Sequence, residues 1–460
     1  MNYSVVIYIL GWIMEIEAAF LALPGIVSAI YGEKGGFAFL WVALGSAVAG
    51  SAIILRKPKN MRFYLREGFV TVALSWILMS VIGCLPFVIN GDIPHFADAL
   101  FEMISGFTTT GATVVSDVEG LTKGSLFWRS FSHWIGGMGV LVFLLAIVPM
   151  AGGSHMNLMK AESPGPSVGK LVPKVRQTAK YLYIIYFALT MIEVIFLLFG
   201  GMNLFEALTT SFGTAGTGGF AIWNDGFVSV SPYNQWVVTI FMLLFGVNFG
   251  FYFLILTGKL RDALKFEEVR IYFIIVIAAA VFIFINLRHF ALYAPAEGIR
   301  QAFFQVASII TTTGFASADF NLWPETSRTI LVLLMFIGAC AGSTGGGIKV
   351  SRFIIACKSF IKEIISYLHP RSVKKIKIEG KPLEHETLRA TNVYFMTYMV
   401  IFAVSVLLVS IENKDLVTNF AAVAATFNNI GPGLSLVGPM ANFGHFTDFT
   451  KYILMFDMLA

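Results

Sequence analysis

The sequence contains little charge and few cysteines. Asp, Glu, Lys and Arg make up 13% of its 460 residues, whereas soluble domains contain about 25%. Cys84, Cys340 and Cys357 have neither the even number of a disulfide framework nor the spacing of a zinc site. The net charge of +5 is too small to indicate nucleic-acid binding, and the sequence shows no nucleophile–base constellation. These shortages argue against a soluble globule, a disulfide-rich secreted domain, a nucleic-acid-binding protein and an enzyme.

Hydrophobic residues are abundant instead, at 57% of the chain. They occur in runs close to the roughly 20 residues that a helix needs to cross a membrane. The first run is too long for a removed signal peptide and lacks a small-residue cleavage site, so we expect it to be an anchor. The predicted spanning segments are 4–30, 37–55, 68–90, 126–150, 180–200, 235–257, 270–288, 328–345 and 391–411.

The distribution of basic residues predicts the orientation of these helices. Most Lys and Arg residues lie in four segments, 56–66, 160–180, 258–270 and 349–389. The positive-inside rule places these segments in the cytoplasm. The N-terminus is then cytoplasmic as well, because two helices precede the first basic segment. The outer side is predicted to carry the stretches at about 91–125, 201–234, 289–327 and 412–445.

The four outer stretches contain an internal repeat. Each begins with an apolar helix too short to span the membrane and continues into a cluster of Thr, Gly or Asn. The repeated sequences are FEMISGFTTTGAT at 101–113, FEALTTSFGTAGTGGF at 205–220, FQVASIITTTGF at 304–315 and FAAVAATFNNIGP at 420–432. The predicted unit, repeated four times, is a helix, a short re-entrant helix, a Gly/Thr loop and a second helix.

Irregular backbone at membrane depth is tolerated where it is buried in protein or lines a water-filled path. Four loops that converge on one axis could replace the hydration shell of a cation with their carbonyl oxygens. Glycine allows the positive φ that such a loop requires, and the C-terminal ends of the short helices favour a cation. The alternative is that these Gly and Thr residues only allow helices to pack closely.

The run GACAGSTGGG at 338–347 interrupts what would otherwise be one helix over 328–368. Each glycine disfavours helix by about 1 kcal/mol relative to alanine, so we expect a loop beneath the four Gly/Thr loops. A phosphate-binding loop is not indicated, because no Gly-Lys-Ser/Thr follows. Lys349 and Arg352 come directly after this run. They either anchor the cytoplasmic face or control the loop.

Several ionisable residues lie in or near apolar segments. Glu193 is either a functional residue or an interhelical hydrogen-bonding partner. Arg129 and His133 are expected near the outer surface, where long side chains reach the headgroups. The acidic residues of the outer stretches either enrich cations at a pore mouth or are solvated loop charges; they are Asp92, Asp98, Glu102, Asp117, Glu119, Glu206, Asp225 and Asp319.

Together, these motifs resemble the TrkH branch of the Trk/Ktr/HKT superfamily of potassium transporters. The resemblance rests on the four loop sequences, SHWIGGMGVLVF at 132–143, GACAGSTGGGIKVSR at 338–352 and FNNIGPGL at 427–434. It implies an all-α polytopic membrane protein, with two N-terminal helices and four M1–pore helix–M2 repeats around one potassium-channel-like pore. The implied divisions are 1–66 for the two extra helices, then 67–160, 161–260, 261–370 and 371–460 for the four repeats.

The resemblance also implies two sets of site residues. The expected K⁺ selectivity filter is Thr109, Thr110, Gly111, Ala112, Thr217, Gly218, Gly219, Phe220, Thr312, Thr313, Gly314, Phe315, Asn429, Ile430, Gly431 and Pro432. In the second loop Gly216, Gly218 and Gly219 compete for the alignment. The expected intramembrane gate is Gly338, Gly342, Ser343, Thr344, Gly345, Gly346, Gly347 and Lys349.

The implied function is potassium uptake across the bacterial inner membrane, with K⁺ as substrate and no cofactor bound by this chain. Membrane lipid, a second copy in a homodimer, and a TrkA-like cytosolic subunit that binds NAD or ATP/ADP are the implied partners. The alternative is a secondary transporter that couples K⁺ or Na⁺ to another ion. The last helix, which starts near Phe446 or Phe449, is expected to be cut short. Its length of about 18–23 Å does not cross a core of about 30 Å.

Overall fold

Long apolar runs form long helices in the computed structural model, which describes residues 1–60, 64–139, 175–369, 375–379 and 381–460. Within these ranges six helices are long and apolar enough to cross a membrane. They confirm the prediction of an all-helical, polytopic membrane fold. The spans are Tyr3–Ile30, Gly36–Ile54, Arg66–Asn90, Lys180–Phe199, Glu267–His289 and His385–Glu412.

The helices that contain these spans are numbered in chain order with the others described below. They are α1 (Tyr3–Ile30), α2 (Gly36–Ile54), α3 (Leu65–Asn90), α6 (Val175–Phe199), α11 (Glu267–His289) and α15 (His385–Val409). Their outward faces carry exposed large apolar side chains such as Trp41 and Phe199. An apolar surface of this extent fits a lipid environment.

Four shorter helices lie inside this shell, at the positions of the sequence repeat. They are α4 (Phe96–Phe107), α7 (Leu204–Gly216), α12 (Pro295–Ile310) and α16 (Leu416–Phe427). Two of them, α7 and α16, begin at local capping signals, because Asn203 and Asp415 accept hydrogen bonds from the third residue of each helix, both at 2.9 Å. All four are largely buried. The protein core therefore forms around helices that are too short to span a membrane.

The remaining helices connect and support the short ones. They are α5 (Lys123–Met138), α8 (Pro232–Phe245), α9 (Phe249–Leu256), α10 (Leu260–Ala263), α13 (Glu325–Ile337), α14 (Val350–Leu368) and α17 (Asp448–Leu459). Single 3₁₀ turns occur at Phe320–Leu322, Ser410–Glu412 and Ser435–Val437. A two-residue antiparallel ribbon pairs β1 (Lys377–Ile378) with β2 (Lys381–Pro382).

Two predicted spans differ from the structure. The segment 235–257 is not one helix, because α8 and α9 meet at an angle of 89°. Gly246 ends α8, and the side chain of Asn248 caps α9 by accepting a hydrogen bond from the Gly250 N–H at 2.8 Å. The helix predicted over 328–345 ends at Ile337, since Gly338 has φ of 74°. Of the predicted span 126–150, α5 covers the beginning, and the part after residue 139 lies outside the described residues.

Candidate functional site

Each of the four short helices leads into a loop with the same backbone conformation. Two residues in every loop have positive φ and are separated by one residue. The first has φ between 54° and 60°, and the second, always glycine, has φ between 77° and 92°. The pairs are Thr109 and Gly111, Thr217 and Gly219, Thr312 and Gly314, and Asn429 and Gly431. In the second loop, therefore, Gly219 has the conformation of Gly111, whereas Gly216 ends α7.

The four loops close into a ring. A Cβ atom added to Gly111 would overlap the carbonyl oxygen of Gly218, which precedes the glycine of the second loop. A Cβ atom on Gly219 would likewise overlap the Thr313 carbonyl oxygen, and one on Gly314 would overlap that of Ile430. A Cβ atom on Gly431 would lie 2.9 Å from the Thr110 carbonyl oxygen, which brings the series back to the first loop. The loops are thus arranged in chain order around one axis. We call the segments 109–112, 217–220, 312–315 and 429–432 the ring.

One side of the ring is the floor of an open cavity, which we call the vestibule. The vestibule has a volume of about 130 Å³. Its floor consists of the four glycines and the residues that follow them, namely Gly111, Ala112, Gly219, Phe220, Gly314, Phe315, Gly431 and Pro432. Its wall includes the 437–443 segment and Arg129. A small solute can therefore reach the backbone of all four loops from this side.

A buried ion pair supports the first two loops. Arg129 of α5 contacts the Glu102 carboxylate of α4 through Nε and Nη2, both at 2.7 Å, and the two side chains are 2% and 0% exposed. Glu102 also accepts hydrogen bonds from Thr113 Oγ1 and from the Val114 N–H, just after the first loop. The guanidinium lies over the Phe220 ring at 4.2 Å. The prediction that Arg129 reaches the headgroups is wrong. The side chain is buried in the protein and paired with Glu102, an acid 27 residues away in the sequence.

His133 joins the end of α4 to the second loop through its imidazole. Its Nδ1 donates to the Gly106 carbonyl oxygen at 2.8 Å, and its Nε2 accepts from the Phe220 N–H at 3.2 Å. These two bonds require the neutral ring with the proton on Nδ1. The side chain is fully buried, so the predicted headgroup contact of His133 is also wrong.

Asn429 closes the ring between the fourth and first loops. Its Nδ2 donates to Thr110 Oγ1 at 2.8 Å and to the Met458 carbonyl oxygen of α17 at 3.1 Å. An amide can make both bonds because it carries two N–H donors. The last helix is therefore attached directly to the ring.

The connection between α13 and α14, residues 338–349, lies on the side of the ring opposite the vestibule. We call it the gate loop after its predicted role. Three of its glycines and Lys349 have positive φ. A Cβ atom on Gly345 would lie 2.8 Å from the Thr311 carbonyl oxygen, and one on Gly346 would lie 2.8 Å from that of Asn428. The gate loop thus packs against the third and fourth loops from below.

Hydrogen bonds connect the gate loop to its surroundings. The Gly346 N–H donates to Thr312 Oγ1 of the ring at 2.6 Å. Thr344 donates to the Phe245 carbonyl oxygen at 3.3 Å, close to the break between α8 and α9. Within the gate loop, Ser343 donates to the Cys340 carbonyl oxygen at 2.6 Å, and Lys349 Nζ donates to that of Gly345.

One cluster of the described residues has the composition of a metal site. Ligand atoms of His95, Asp98 and Asp448 lie within 4.8 Å of one another. Lys451 Nζ, however, lies 2.5 Å from Asp98 Oδ1 and already provides a cation. The cluster is best described as an ion-pair contact between α4 and α17.

These features define a class of protein: an all-helical, multi-pass membrane protein with four re-entrant loops around one axis. The comparisons with known proteins identify the family. A family model described as TrkH, cation transport protein, matches residues 37–460. The chain therefore belongs to the TrkH family.

Individual relatives match along the whole chain. The Trk system potassium uptake protein TrkH of Escherichia coli K12 is 36% identical, and the match covers 100% of this chain and 96% of the relative. The E. coli K12 protein TrkG is 31% identical, with coverage of 100% and 95%. The crystal structure of the potassium transporter TrkH from Vibrio parahaemolyticus superimposes with a TM-score of 0.89 at 32% identity, covering 100% of this chain and 96% of that one.

Proposed function

We propose that this protein takes up potassium and that the ions pass through the ring. The observation that carries the proposal is the closed ring, in which each glycine packs against the carbonyl group preceding the next loop's glycine. The alternation of positive and negative φ brings successive carbonyl groups towards one side of the backbone. Carbonyl oxygens in this arrangement replace the hydration shell of K⁺.

The electrostatics of the ring suit a monovalent cation. Its sixteen residues include no ionisable side chain. Each loop follows the C-terminal end of a short helix, which carries a partial negative charge. Partial charges bind a cation weakly enough for it to leave again, as conduction requires. The names of the E. coli and V. parahaemolyticus relatives as potassium uptake or potassium transport proteins support K⁺ as the ion.

The wider organisation follows from the same proposal. Residues 1–66 form an extra helical pair, and the four repeats occupy 67–160, 161–260, 261–370 and 371–460. The gate loop closes the path below the ring. The protein acts as a homodimer in the bacterial inner membrane with its N-terminus in the cytoplasm, as the basic segments predict. A TrkA-like cytosolic subunit that binds NAD or ATP/ADP regulates it.

Cation flux from potassium-loaded liposomes containing the purified protein tests this function. We expect K⁺ and Rb⁺ to move faster than Na⁺ and Li⁺ with no proton or sodium gradient. Flux that requires such a gradient would instead support the coupled secondary transporter. The absence of flux for every cation under both conditions would reject potassium uptake.

Two glycine variants link the flux to the ring. Gly111→Ser places a side chain against the Gly218 carbonyl oxygen, so we expect Na⁺ to be admitted. Gly91→Ser is the matched control, because Gly91 also has positive φ, 81°, but no atom lies within 4 Å of its added Cβ. Equal selectivity in the two variants would argue against conduction through the ring.

A further inference from the structure

One carboxylate outside the ring connects the two ends of the gate loop. Glu268 lies in the first turn of α11, and its side chain is 7% exposed. Its Oε1 accepts hydrogen bonds from the Ala341 N–H at 2.7 Å and from the Ser351 N–H at 2.9 Å. Ala341 lies near the beginning of the gate loop, and Ser351 lies just after its end. A single oxygen atom therefore holds both ends.

The bond to Ser351 also caps α14. The first N–H groups of a helix have no acceptor within that helix. Lys349, at the cap position of α14, has φ of 81° and provides no side-chain capping bond. Glu268 supplies an acceptor from another helix, and its negative charge suits a helix N-terminus. Glu268 therefore both caps the start of α14 and binds the gate loop.

The neighbouring acid shows that this arrangement is specific to Glu268. Glu267 also lies in the first turn of α11, where an acid favourably meets the dipole of its own helix. It pairs with Lys358 of α14 at 2.5 Å, and its side chain is 24% exposed. Within the described part of the chain, no hydrogen bond joins Glu267 to the gate loop. The two donors to Glu268 Oε1, by contrast, are Ala341 of the gate loop and Ser351, the second residue of α14.

We infer that Glu268 is the positioning residue that holds the gate loop against the ring. The inference rests on the proposed function in that it takes residues 338–349 as a gate. Moving the gate loop away from Glu268 breaks the charge-assisted hydrogen bond from the Ala341 N–H, and moving the start of α14 with it also breaks the bond from the Ser351 N–H. Such bonds are stronger than neutral ones, and depriving a buried carboxylate of its partners is strongly unfavourable. Loss of the carboxylate therefore loosens both ends of the gate loop.

Cys340 provides a direct measure of that release. It lies within the gate loop, its side chain is 0% exposed, and its thiol is free. Cys84→Ala and Cys357→Ser leave Cys340 as the remaining cysteine of the chain. The rate at which a small maleimide modifies Cys340 in the full-length protein in liposomes then reports the exposure of the gate loop. This readout does not depend on ion flux.

In this background, Glu268→Ala is expected to raise the Cys340 modification rate about tenfold or more, because it removes two hydrogen bonds to a charged acceptor. Glu268→Gln keeps an amide oxygen as a weaker acceptor, so a rise of about two- to threefold is expected. Glu267→Ala is the matched control. It removes the adjacent acid of the same helix, and its rate should stay within about twofold of the parent.

Potassium flux measured on the same liposomes separates this inference from the proposed function. Faster Cys340 modification together with increased K⁺ flux supports both. Faster modification while neither parent nor variant passes any cation supports the anchoring role and rejects potassium conduction. An unchanged modification rate in Glu268→Ala overturns the anchoring role whatever the flux. If Glu268→Ala does not fold, Glu268→Gln carries the test, and an unchanged rate there has the same meaning.

Discussion

The ring and the gate loop are both glycine-rich, irregular backbone, but the protein holds them in different ways. Side chains support the ring at several points: Arg129 and His133 of α5 contact its second loop, and Asn429 within the ring joins the fourth loop to the first loop and to α17. The gate loop is held largely by backbone groups: its Cys340 N–H donates to the Gly246 carbonyl oxygen at 3.1 Å, and its Gly342 carbonyl oxygen accepts from the Phe249 N–H at 2.9 Å. Side chains of other segments bind its backbone at two points, through Glu268 and Thr312. The comparison indicates that substitutions loosen the gate loop mainly through these two side chains, whereas the ring depends on side chains at several points.

The largest expected effect comes from breaking the ion pair behind the ring. Arg129→Met leaves Glu102 buried without its partner, so we expect a loss of about 3–5 kcal/mol in the free energy of unfolding. A thermal unfolding series in detergent measures the loss. The double variant Arg129→Met, Glu102→Gln should recover most of it, since an amide oxygen in the place of Oε2 still accepts from Thr113 Oγ1 and the Val114 N–H. An Arg129→Met protein as stable as the parent would show that the ion pair does not support the ring.

An exposed ion pair calibrates that measurement. Glu325 and Arg328 lie 2.5 Å apart, with side chains 82% and 20% exposed. Exposed pairs contribute about 0–1 kcal/mol. Glu325→Gln should therefore change the thermal midpoint far less than Arg129→Met does.

The second expected effect concerns the closeness of the loops within the ring. Gly314→Ala places its Cβ on the Ile430 carbonyl oxygen, whereas Gly431→Ala places it 2.9 Å from the Thr110 oxygen. We expect Gly314→Ala to lose more of the preference for K⁺ over Na⁺ in liposome flux. Both variants bear the strain of positive φ, about 1–2 kcal/mol. Gly91→Ala has the same strain in open space and should keep the parent selectivity.

A third, smaller effect tests the contact between the ring and the gate loop. Thr312→Val removes the acceptor of the Gly346 N–H, a bond that contributes about 1 kcal/mol. We expect a several-fold faster modification of Cys340. Thr312→Ser keeps the hydroxyl and should behave like the parent. Thr109→Val is the equivalent change in the first loop, where no hydrogen bond to the gate loop is present among the described residues. If Thr109→Val has the same effect as Thr312→Val, the contact to Gly346 is not the cause.

The smallest effect lies at the start of α16, where Asp415 caps the helix. Asp415→Ala should reduce stability by about 1 kcal/mol. Hydrogen bonds from the Thr418 hydroxyl and N–H lower the pKa of this carboxyl below its ordinary value of 3.8. A lowered pKa stabilises the fold above the ordinary value and loses that effect as the pH falls through the lowered value. The difference between Asp415→Ala and the parent should accordingly be present at pH 7 and shrink below about pH 4. A difference that persists in acid would contradict the capping explanation.

Local features of the sequence were sufficient to predict much of this architecture. Hydropathy located the six spans, because the length and apolarity of a spanning helix are set by the bilayer. The repeat located the four short helices and their glycines, since only glycine readily adopts the φ of 77° to 92° seen at these positions. The loop that follows Ile337 also followed from composition, because the glycine-rich run disfavours helix, although the span predicted over 328–345 extended too far into it. The break at Gly246 did not, because one glycine in an apolar run barely changes the hydropathy.

The partners of the buried charges could not be predicted from local sequence. Arg129 and Glu102 lie 27 positions apart, and Glu268 meets its two donors across 73 and 83 positions. In an apolar segment a charged residue can reach the headgroups or meet a distant partner, and its neighbours in the sequence are the same in both cases. A signal for Glu268 did exist, since it is an acid at the end of a basic segment. Hydropathy and glycine act within a few residues and can be recognised in the sequence, whereas the pairing of buried charges depends on which helices the fold brings together.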